Sequence, residues 1–272
     1  MKIILVATDF SPAAFNAANY AADMALAINA DMVLLHVFQI PVTYSEIPLA
    51  MNEQDMRQSL EKNVNELRER LIRDKKETLH IKTLVRMGTF FNELKAVCEE
   101  IHPYAVVMGS QGTTASERFF FGGHTVYATK NLMWPVITVP IGAKFLAIKK
   151  IGLACDFDKV MDTIPVQEIK LLIHDFNATL HILNTGRHNV YDPEIVFESE
   201  LLQKMLNALK PKYHFITHEN TDEGIINFAG ENHIDLLIVL PKRHGLLDRF
   251  LYQSHTTQLV LHSHVPVMAL HQ

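Results

Sequence analysis

Short apolar runs alternate with amphipathic stretches along the chain. In the clearest amphipathic stretch, 53–77, the apolar residues of one face recur every three or four positions: Met56, Leu60, Val64, Leu67 and Leu71. Because charged residues fill the other face, this spacing predicts a helix that covers a core. Runs such as 33–35 and 105–108 are apolar at every position, which predicts strands buried on both faces of a parallel sheet.

Two sets of five strands follow from these runs. The predicted strands of the first set are 2–8, 31–38, 79–86, 104–109 and 135–140. Those of the second set are 148–155, 179–185, 212–218, 235–240 and 266–270. Further predicted helices are 118–132 in the first set and 162–175, 193–209, 221–232 and 248–261 in the second. The predicted fold class is α/β, with two tandem doubly wound domains, each a five-stranded parallel sheet covered by helices.

The two sets resemble each other in sequence at several motifs. The segment Ile4–Phe10 returns as Ile151–Phe157, and 118–125 returns as 249–256. Such internal repetition predicts a duplicated domain, and it suggests that the two halves pair with each other. The boundary falls near 141–147. The predicted domains are 1–144 and 145–272.

Composition and charge narrow the choice of partners. The 272 residues are 48% hydrophobic and 20% charged, which is typical of a globular protein. A formal net charge of -5 without a Lys/Arg block predicts no nucleic-acid partner and no membrane partner. No run of about 18 apolar residues occurs, and the apolar run before Asp9 is shorter than that of a secretion signal, so we expect neither a membrane-spanning helix nor export. Cys98 and Cys155 form neither a disulfide framework nor a CxxC pair, so we expect a cytoplasmic protein.

The strongest local signal is a cluster of glycines after the fourth predicted strand. Four of the chain's eleven glycines lie close together there: Gly109, Gly112, Gly122 and Gly123. They span the end of the strand, a loop and the start of the predicted helix 118–132. Glycines and a helix start both present backbone N–H groups, so the pattern fits a phosphate-binding cradle. A flexible turn followed by a helix start would give the same glycines, and no P-loop motif is present.

At these motifs the chain resembles the universal stress protein family, in its tandem two-domain form. The motifs are Ile-x-x-Ala-Thr-Asp-Phe-Ser at 4–11, the Gly-x2-Gly-x9-Gly loop, Arg-Phe-Phe-Phe-Gly at 118–122 and Trp-Pro-Val-Ile-Thr-Val-Pro at 134–140. The resemblance implies an α/β nucleotide-binding fold and, in many members, ATP or AMP at this loop, with Mg²⁺ held only through the phosphates. It also implies a stress-response or signalling protein, often a homodimer, with little or no catalytic turnover.

The resemblance assigns roles to individual residues. Asp9 corresponds to the acidic residue beside the ribose and phosphates, and the backbone around Val37 corresponds to the adenine-facing strand end. Gly109, Gly112 and Gly122 correspond to the three loop glycines. Other predicted contacts on the same stretches are Thr8, Met108, Gln111, Gly123 and His124.

One position departs from the pattern of the ATP-binding members. Directly after the third glycine these members have Ser or Thr, whose hydroxyl binds phosphate, whereas this chain has Gly123. A hydrogen bond to a charged group contributes about 1.5–3 kcal/mol, so its loss weakens binding by up to about a hundredfold. The backbone N–H of Gly123 remains and Thr125 supplies the nearest hydroxyl, so we expect weakened binding rather than none.

The second copy lacks the glycine loop. Aligned through Arg249-Phe250, its three glycine positions are Leu240, Arg243 and Gln253, while Ser254 restores the hydroxyl. Because side chains occupy the space that phosphates need, we expect a degenerate domain without an adenine-nucleotide site. Whether Lys242-Arg243-His244 attracts another anion stays open.

Neither a metal centre nor a catalytic centre is predicted. Eleven of the 15 histidines lie beyond residue 147, but His262-x-His264 alone falls short of three or four converging ligands. These histidines predict that the second half gains positive charge below neutral pH. No Gly-x-Ser-x-Gly motif occurs, so the nucleophile elbow of α/β hydrolases is not supported. Because the glycine loop has no lysine and no base is evident, we expect at most a slow ATPase.

Two functional hypotheses remain. Under the first hypothesis, domain 1–144 binds an adenine nucleotide, and an unknown protein partner recognises the surface that binding changes. In the second, the chain is an interaction scaffold of the same fold that binds no nucleotide.

Overall fold

Residues 1–40, 53–75, 79–110, 115–185, 193–241 and 255–271 are described by a computed structural model, with backbone alone at 115–122 and 194. The strands of the first half are β1 (Lys2–Ala7), β2 (Ala30–Phe38), β3 (Ile81–Met87), β4 (Ala105–Gly109) and β5 (Val136–Val139). Its helices are α1 (Pro12–Ala27), α2 (Glu53–Asp74), α3 (Phe90–Ile101) and α4 (Ala115–Asn131). Strands and helices alternate as the sequence predicts.

The second half repeats this order with one interruption. Its strands are β6 (Lys150–Ala154), β7 (Thr179–Asn184), β8 (Lys212–Phe215), β9 (Leu236–Val239) and β10 (Val267–Ala269). Its helices are α5 (Val160–Thr163), α6 (Val166–Phe176), α7 (Pro193–Leu206), α8 (Thr221–Glu231) and α9 (His255–His262). The interruption separates α5 from α6 at Pro165, which has no N–H to continue a helix.

All ten strands form one sheet in the order β3-β2-β1-β4-β5-β10-β9-β6-β7-β8. Within each half the strands are parallel, whereas β5 and β10 pair antiparallel, with Ile137 opposite Met268. The Thr138 hydroxyl also donates to the carbonyl oxygen of Val267 at 3.2 Å. The two predicted five-stranded sheets are therefore continuous through this joint, which confirms that the two halves pair with each other.

In each half the strand order reverses beside the first strand. Neighbours β2 and β4 lie on either side of β1, and β7 and β9 lie on either side of β6. Open parallel sheets bind ligands beside such a reversal, at the carboxyl ends of the strands.

The sheet is covered on both faces, as its apolar strands require. Val64, Leu67 and Leu71 of α2 are buried in a core cluster that also contains the alanine-rich face of α1. Leu94 and Val97 of α3 are buried in a second cluster on strand residues of the other face. Within the described residues, no helix has the length and apolar character needed to cross a membrane.

Candidate functional site

A cavity of about 480 Å³ opens in the first half, at the carboxyl ends of β1, β2 and β4. This is the edge beside the reversal of strand order, where open parallel sheets bind ligands. Six of the predicted site residues line it: Thr8, Asp9, Val37, Met108, Gly109 and His124. A volume of this size is within the range of small-molecule sites.

The turn after β1 is held by its own side chains. The Asp9 carboxylate accepts the N–H of Ser11 at 2.9 Å, and the Thr8 hydroxyl accepts the N–H of Phe10 at 3.1 Å. These bonds fix a turn in which Phe10 has a left-handed φ of 64°. The Ser11 hydroxyl then caps α1 by accepting the N–H of Ala14 at 3.1 Å. The turn therefore positions the half-buried Asp9 at the wall of the cavity.

Gly109 allows α1 to approach the end of β4. A Cβ atom at this position would lie 2.9 Å from both the carbonyl carbon and the carbonyl oxygen of Ala13, which is too close for any real contact. The carbonyl oxygen of Gly109 accepts a hydrogen bond from the hydroxyl of Thr125 at 3.0 Å. Thr125 is buried, so its hydroxyl holds α4 to β4 and does not replace the one that Gly123 lacks.

Gly122 and Gly123 lie farther inside α4 than the sequence indicates. The helix begins at Ala115 rather than near 118, so both glycines lie beyond the first four residues, whose N–H groups have no intrahelical partner. Gly123 is exposed, and nothing lies within 4 Å of where its Cβ would be. A side chain at this position would therefore meet no steric obstacle. Gln111 and Gly112 lie outside the described residues.

Aromatic pairs join α3 to α4 along the cavity. The rings of Phe90 and His124 are stacked, with centroids 4.9 Å apart and an interplanar angle of 4°. One turn farther along α4, the rings of Phe91 and Tyr127 make an edge-to-face contact, with their centroids 4.7 Å apart. The two phenylalanines and His124 line the cavity.

Several lining residues were not among the predicted site residues: Ser11, Gln39, Gly88, Thr89, Phe90 and Phe91. Gly88 follows the third predicted strand, so its position at a strand end marks this segment in the sequence, although no contact with a ligand is assigned to it. The phenylalanines carry no comparable signal, because the sequence pattern does not fix where α3 crosses the carboxyl edge.

The equivalent region of the second half is built from larger side chains. The fully buried Val160 occupies the position of Ala13, and Leu240, which packs against the core, occupies that of Gly109. A carboxylate oxygen of Glu198 on α7 accepts the N–H of Val160 at 2.8 Å. Leu240 thus adds the bulk that the sequence predicts, while Arg243, Gln253 and Ser254 lie outside the described residues.

Two histidines of the second half depart from their predicted behaviour. His181 and His214 share a hydrogen bond of 2.9 Å between Nδ1 and Nε2. Burial, followed by the charges of His214, Lys212 and Lys150, lowers the pKa of His181 to about 4. Burial and Lys212 also lower the pKa of His214. This pair therefore resists the gain of positive charge below neutral pH that the histidine content predicts.

Metal-binding side chains do not converge in the described part of the chain. No group of three or more His, Cys, Asp or Glu residues is arranged there to hold an ion.

A profile of the universal stress protein family matches residues 1–140 and again residues 147–271. The chain belongs to the universal stress protein family. With two matches in succession, it has the tandem two-domain form of this family.

Solved universal stress proteins share the fold over the full chain. One from Archaeoglobus fulgidus DSM 4304 superposes with a TM-score of 0.72 at 17% identity, covering 99% of this chain and 96% of that chain. A putative universal stress protein from Pseudomonas aeruginosa UCBPP-PA14 gives a TM-score of 0.64 at 13% identity, covering 100% and 93%. At these identities the likeness establishes the fold alone. No curated protein matches the sequence.

Proposed function

We propose that this universal stress protein binds an adenine nucleotide, ATP or AMP, in the cavity of its first half. In this proposal it is a stress-response or signalling regulator without significant catalysis. The observation that carries the proposal is the convergence of six predicted nucleotide contacts on one cavity.

The chemistry of the cavity wall suits a nucleoside. Val37 and Met108 offer apolar surface to a base, and the Asp9 carboxylate can accept hydrogen bonds from ribose hydroxyls. The phosphates would then extend toward Gly109 and α4, and any Mg²⁺ would be bound through them. A partner protein would read the surface near α3 and α4.

The hydrogen bonding of the wall supports slow chemistry or none. The hydroxyls of Ser11 and Thr125 are engaged by the N–H of Ala14 and the carbonyl oxygen of Gly109. None of the described lining residues is a lysine that could neutralise charge on a transferring phosphoryl group. We therefore propose binding as the purpose of the site, with at most a slow ATPase.

The scaffold hypothesis is favoured by a different observation. Gly122 and Gly123 lie within α4, where their N–H groups belong to the helix, and Gly123 lacks the hydroxyl of ATP-binding relatives. Under this hypothesis the cavity has lost its nucleotide-binding function, and the protein acts only by binding partners at its surface.

Calorimetric titration of the nucleotide-stripped protein with ATP plus Mg²⁺, and with AMP, separates the two functions. The chain supplies a matched pair of variants in Asp9→Asn and Asp156→Asn. Each amide keeps an oxygen for the turn hydrogen bond, which joins Asp9 to Ser11 and Asp156 to Asp158.

We expect one site per chain, a loss of roughly tenfold or more in affinity for Asp9→Asn, and no change for Asp156→Asn. Equal losses in both variants would mean that the second half also binds nucleotide. The absence of heat and of any thermal shift with either nucleotide would leave the scaffold function.

A further inference from the structure

We propose that His124 binds the phosphate of the nucleotide as an imidazolium, so that nucleotide affinity rises as the pH falls. The inference rests on the proposed function, because it names a contact within the same cavity. It also supplies the interaction that the missing hydroxyl at Gly123 would otherwise provide.

His124 is placed for this contact by its position on α4. It directly follows Gly123, lines the cavity and is exposed, so that a ligand can reach its ring. A protonated imidazole has two N–H donors, and hydrogen bonds from charged donors to phosphate are shorter and stronger than neutral ones.

Phe90 fixes the orientation of this ring. The two rings are stacked with only 4° between their planes, so the face of the imidazole lies against Phe90. The ring nitrogens lie in the imidazole plane and stay at its uncovered edge. A cation over an aromatic face is attracted by the ring quadrupole, so the contact accommodates the protonated form.

The charged groups around the cavity determine how much the protonation of His124 can contribute to phosphate binding. From the β1–α1 turn comes Asp9, and from α3 comes Glu93, whose carboxylate lies beside the lining residue Gly88. From β2 comes His36, whose Nδ1 lies 2.8 Å from the carbonyl oxygen of Thr8. On α4 itself, Lys130 lies near the far end of the helix, the side chains of Glu117 and Arg118 lie outside the described part of the chain, and β4 contributes no ionisable side chain. None of the described lining residues is Lys or Arg, so among these residues His124 is the one that can carry positive charge. Histidine changes charge between about pH 5 and 8, within the range a cell can experience.

The test is a calorimetric titration of the intact protein with AMP and with adenosine, at about pH 6 and about pH 8 and constant ionic strength. The variants are His124→Gln, which is neutral at both pH values, and His124→Arg, which is charged at both. Both replace an exposed side chain, so we expect them to fold. Comparing wild type with His124→Gln at each pH removes the titration of the ligand's own phosphate, whose second pKa is about 6.

At about pH 6 we expect the wild type to bind AMP roughly tenfold more tightly than His124→Gln, with little difference at about pH 8. Adenosine should bind both equally at both pH values, and His124→Arg should bind AMP tightly at both. Equal AMP affinities of wild type and His124→Gln at both pH values would overturn the role of His124 and leave the proposed function standing. If neither AMP nor adenosine binds the wild type at either pH, both the inference and the proposed function fail.

Discussion

The turn after β1 and the turn after β6 share a left-handed phenylalanine and an Asp hydrogen bond but have different surroundings. Phe10 and Phe157 have left-handed φ angles of 64° and 57°, and an Asp side chain precedes and caps each turn. Opposite the first turn, however, Ala13 lies against Gly109, whereas the corresponding residues of the second half are Val160 and Leu240.

This comparison separates the residues that make the fold from those that make the cavity. The Asp-Phe pair also occurs in the second half, where Leu240 replaces the glycine at the end of the fourth strand. The pair therefore indicates the turn and does not by itself indicate a ligand site. The small residues at Ala13 and Gly109 leave the space. The acidic residue is therefore informative about binding only when the positions opposite it are also small.

The largest expected effect on nucleotide binding comes from Gly109→Leu, which gives the first half the residue that the second half has at the equivalent position, Leu240. In Gly109→Leu the new side chain would meet the backbone of Ala13, and overpacking of this kind costs about 1–3 kcal/mol or more. We expect a lower urea midpoint and complete loss of nucleotide binding.

The reverse change, Leu240→Gly, is the control for Gly109→Leu. It should lower stability through lost packing and leave nucleotide affinity unchanged. Nucleotide binding that survives Gly109→Leu would show that the cavity is not the site.

A second contrast concerns acid stability. By strand register, the coupled His181 and His214 of the second half occupy the positions of the apolar Val33 and Leu84 in the first. The folded-state pKa of His181, about 4, is below the value of about 6.5 for an unfolded chain. The stability contributed by this depressed pKa is fully present above about pH 6.5 and is lost as the pH falls toward 4.

We expect unfolding by urea to require up to about 2 kcal/mol less free energy at pH 5 than at pH 7 because of this pair. The double variant His181→Val with His214→Leu copies the first half and should lose that part of the pH dependence. An unchanged slope in the variant would assign the acid sensitivity to other groups.

A smaller effect is expected from restoring the missing hydroxyl. Gly123→Ser meets no neighbouring atom and should increase nucleotide affinity by about tenfold if the phosphate reaches this turn of α4. Gly123→Ala is the matched control, since it stabilises the helix similarly without a donor. Equal affinities of the two variants in calorimetry would place the phosphate elsewhere.

Much of the fold could be predicted because the strands are short, apolar and repeated. The left-handed Asn29 and Asn177, at φ of 51° and 48°, even occupy matching positions of the repeat. The break at Pro165 could be predicted because proline has no N–H to continue a helix. The apolar residues of 162–175 nevertheless keep a helical spacing across Pro165, which favours one continuous helix. The joint between β5 and β10 depends on two edge strands meeting, which no local pattern encodes.

The site was predictable only where its residues follow strands. Thr8, Asp9 and Met108 belong to apolar runs whose ends are visible in sequence, so their convergence follows from the α/β order. Phe90 and the start of α4 could not be placed, because the crossing of helices over the sheet edge is set by packing between distant segments.

The antiparallel joint between β5 and β10 has a consequence for how the two copies can diverge. Main-chain hydrogen bonds depend little on side-chain identity, so β10 can complete the sheet of the first half whatever the residues after β9 become. Covalent linkage also fixes the ratio of the copies at one to one. The second half can therefore have a large residue such as Leu240 where the first half has a glycine. It still covers the edge of the first-half sheet and so prevents unwanted strand pairing there.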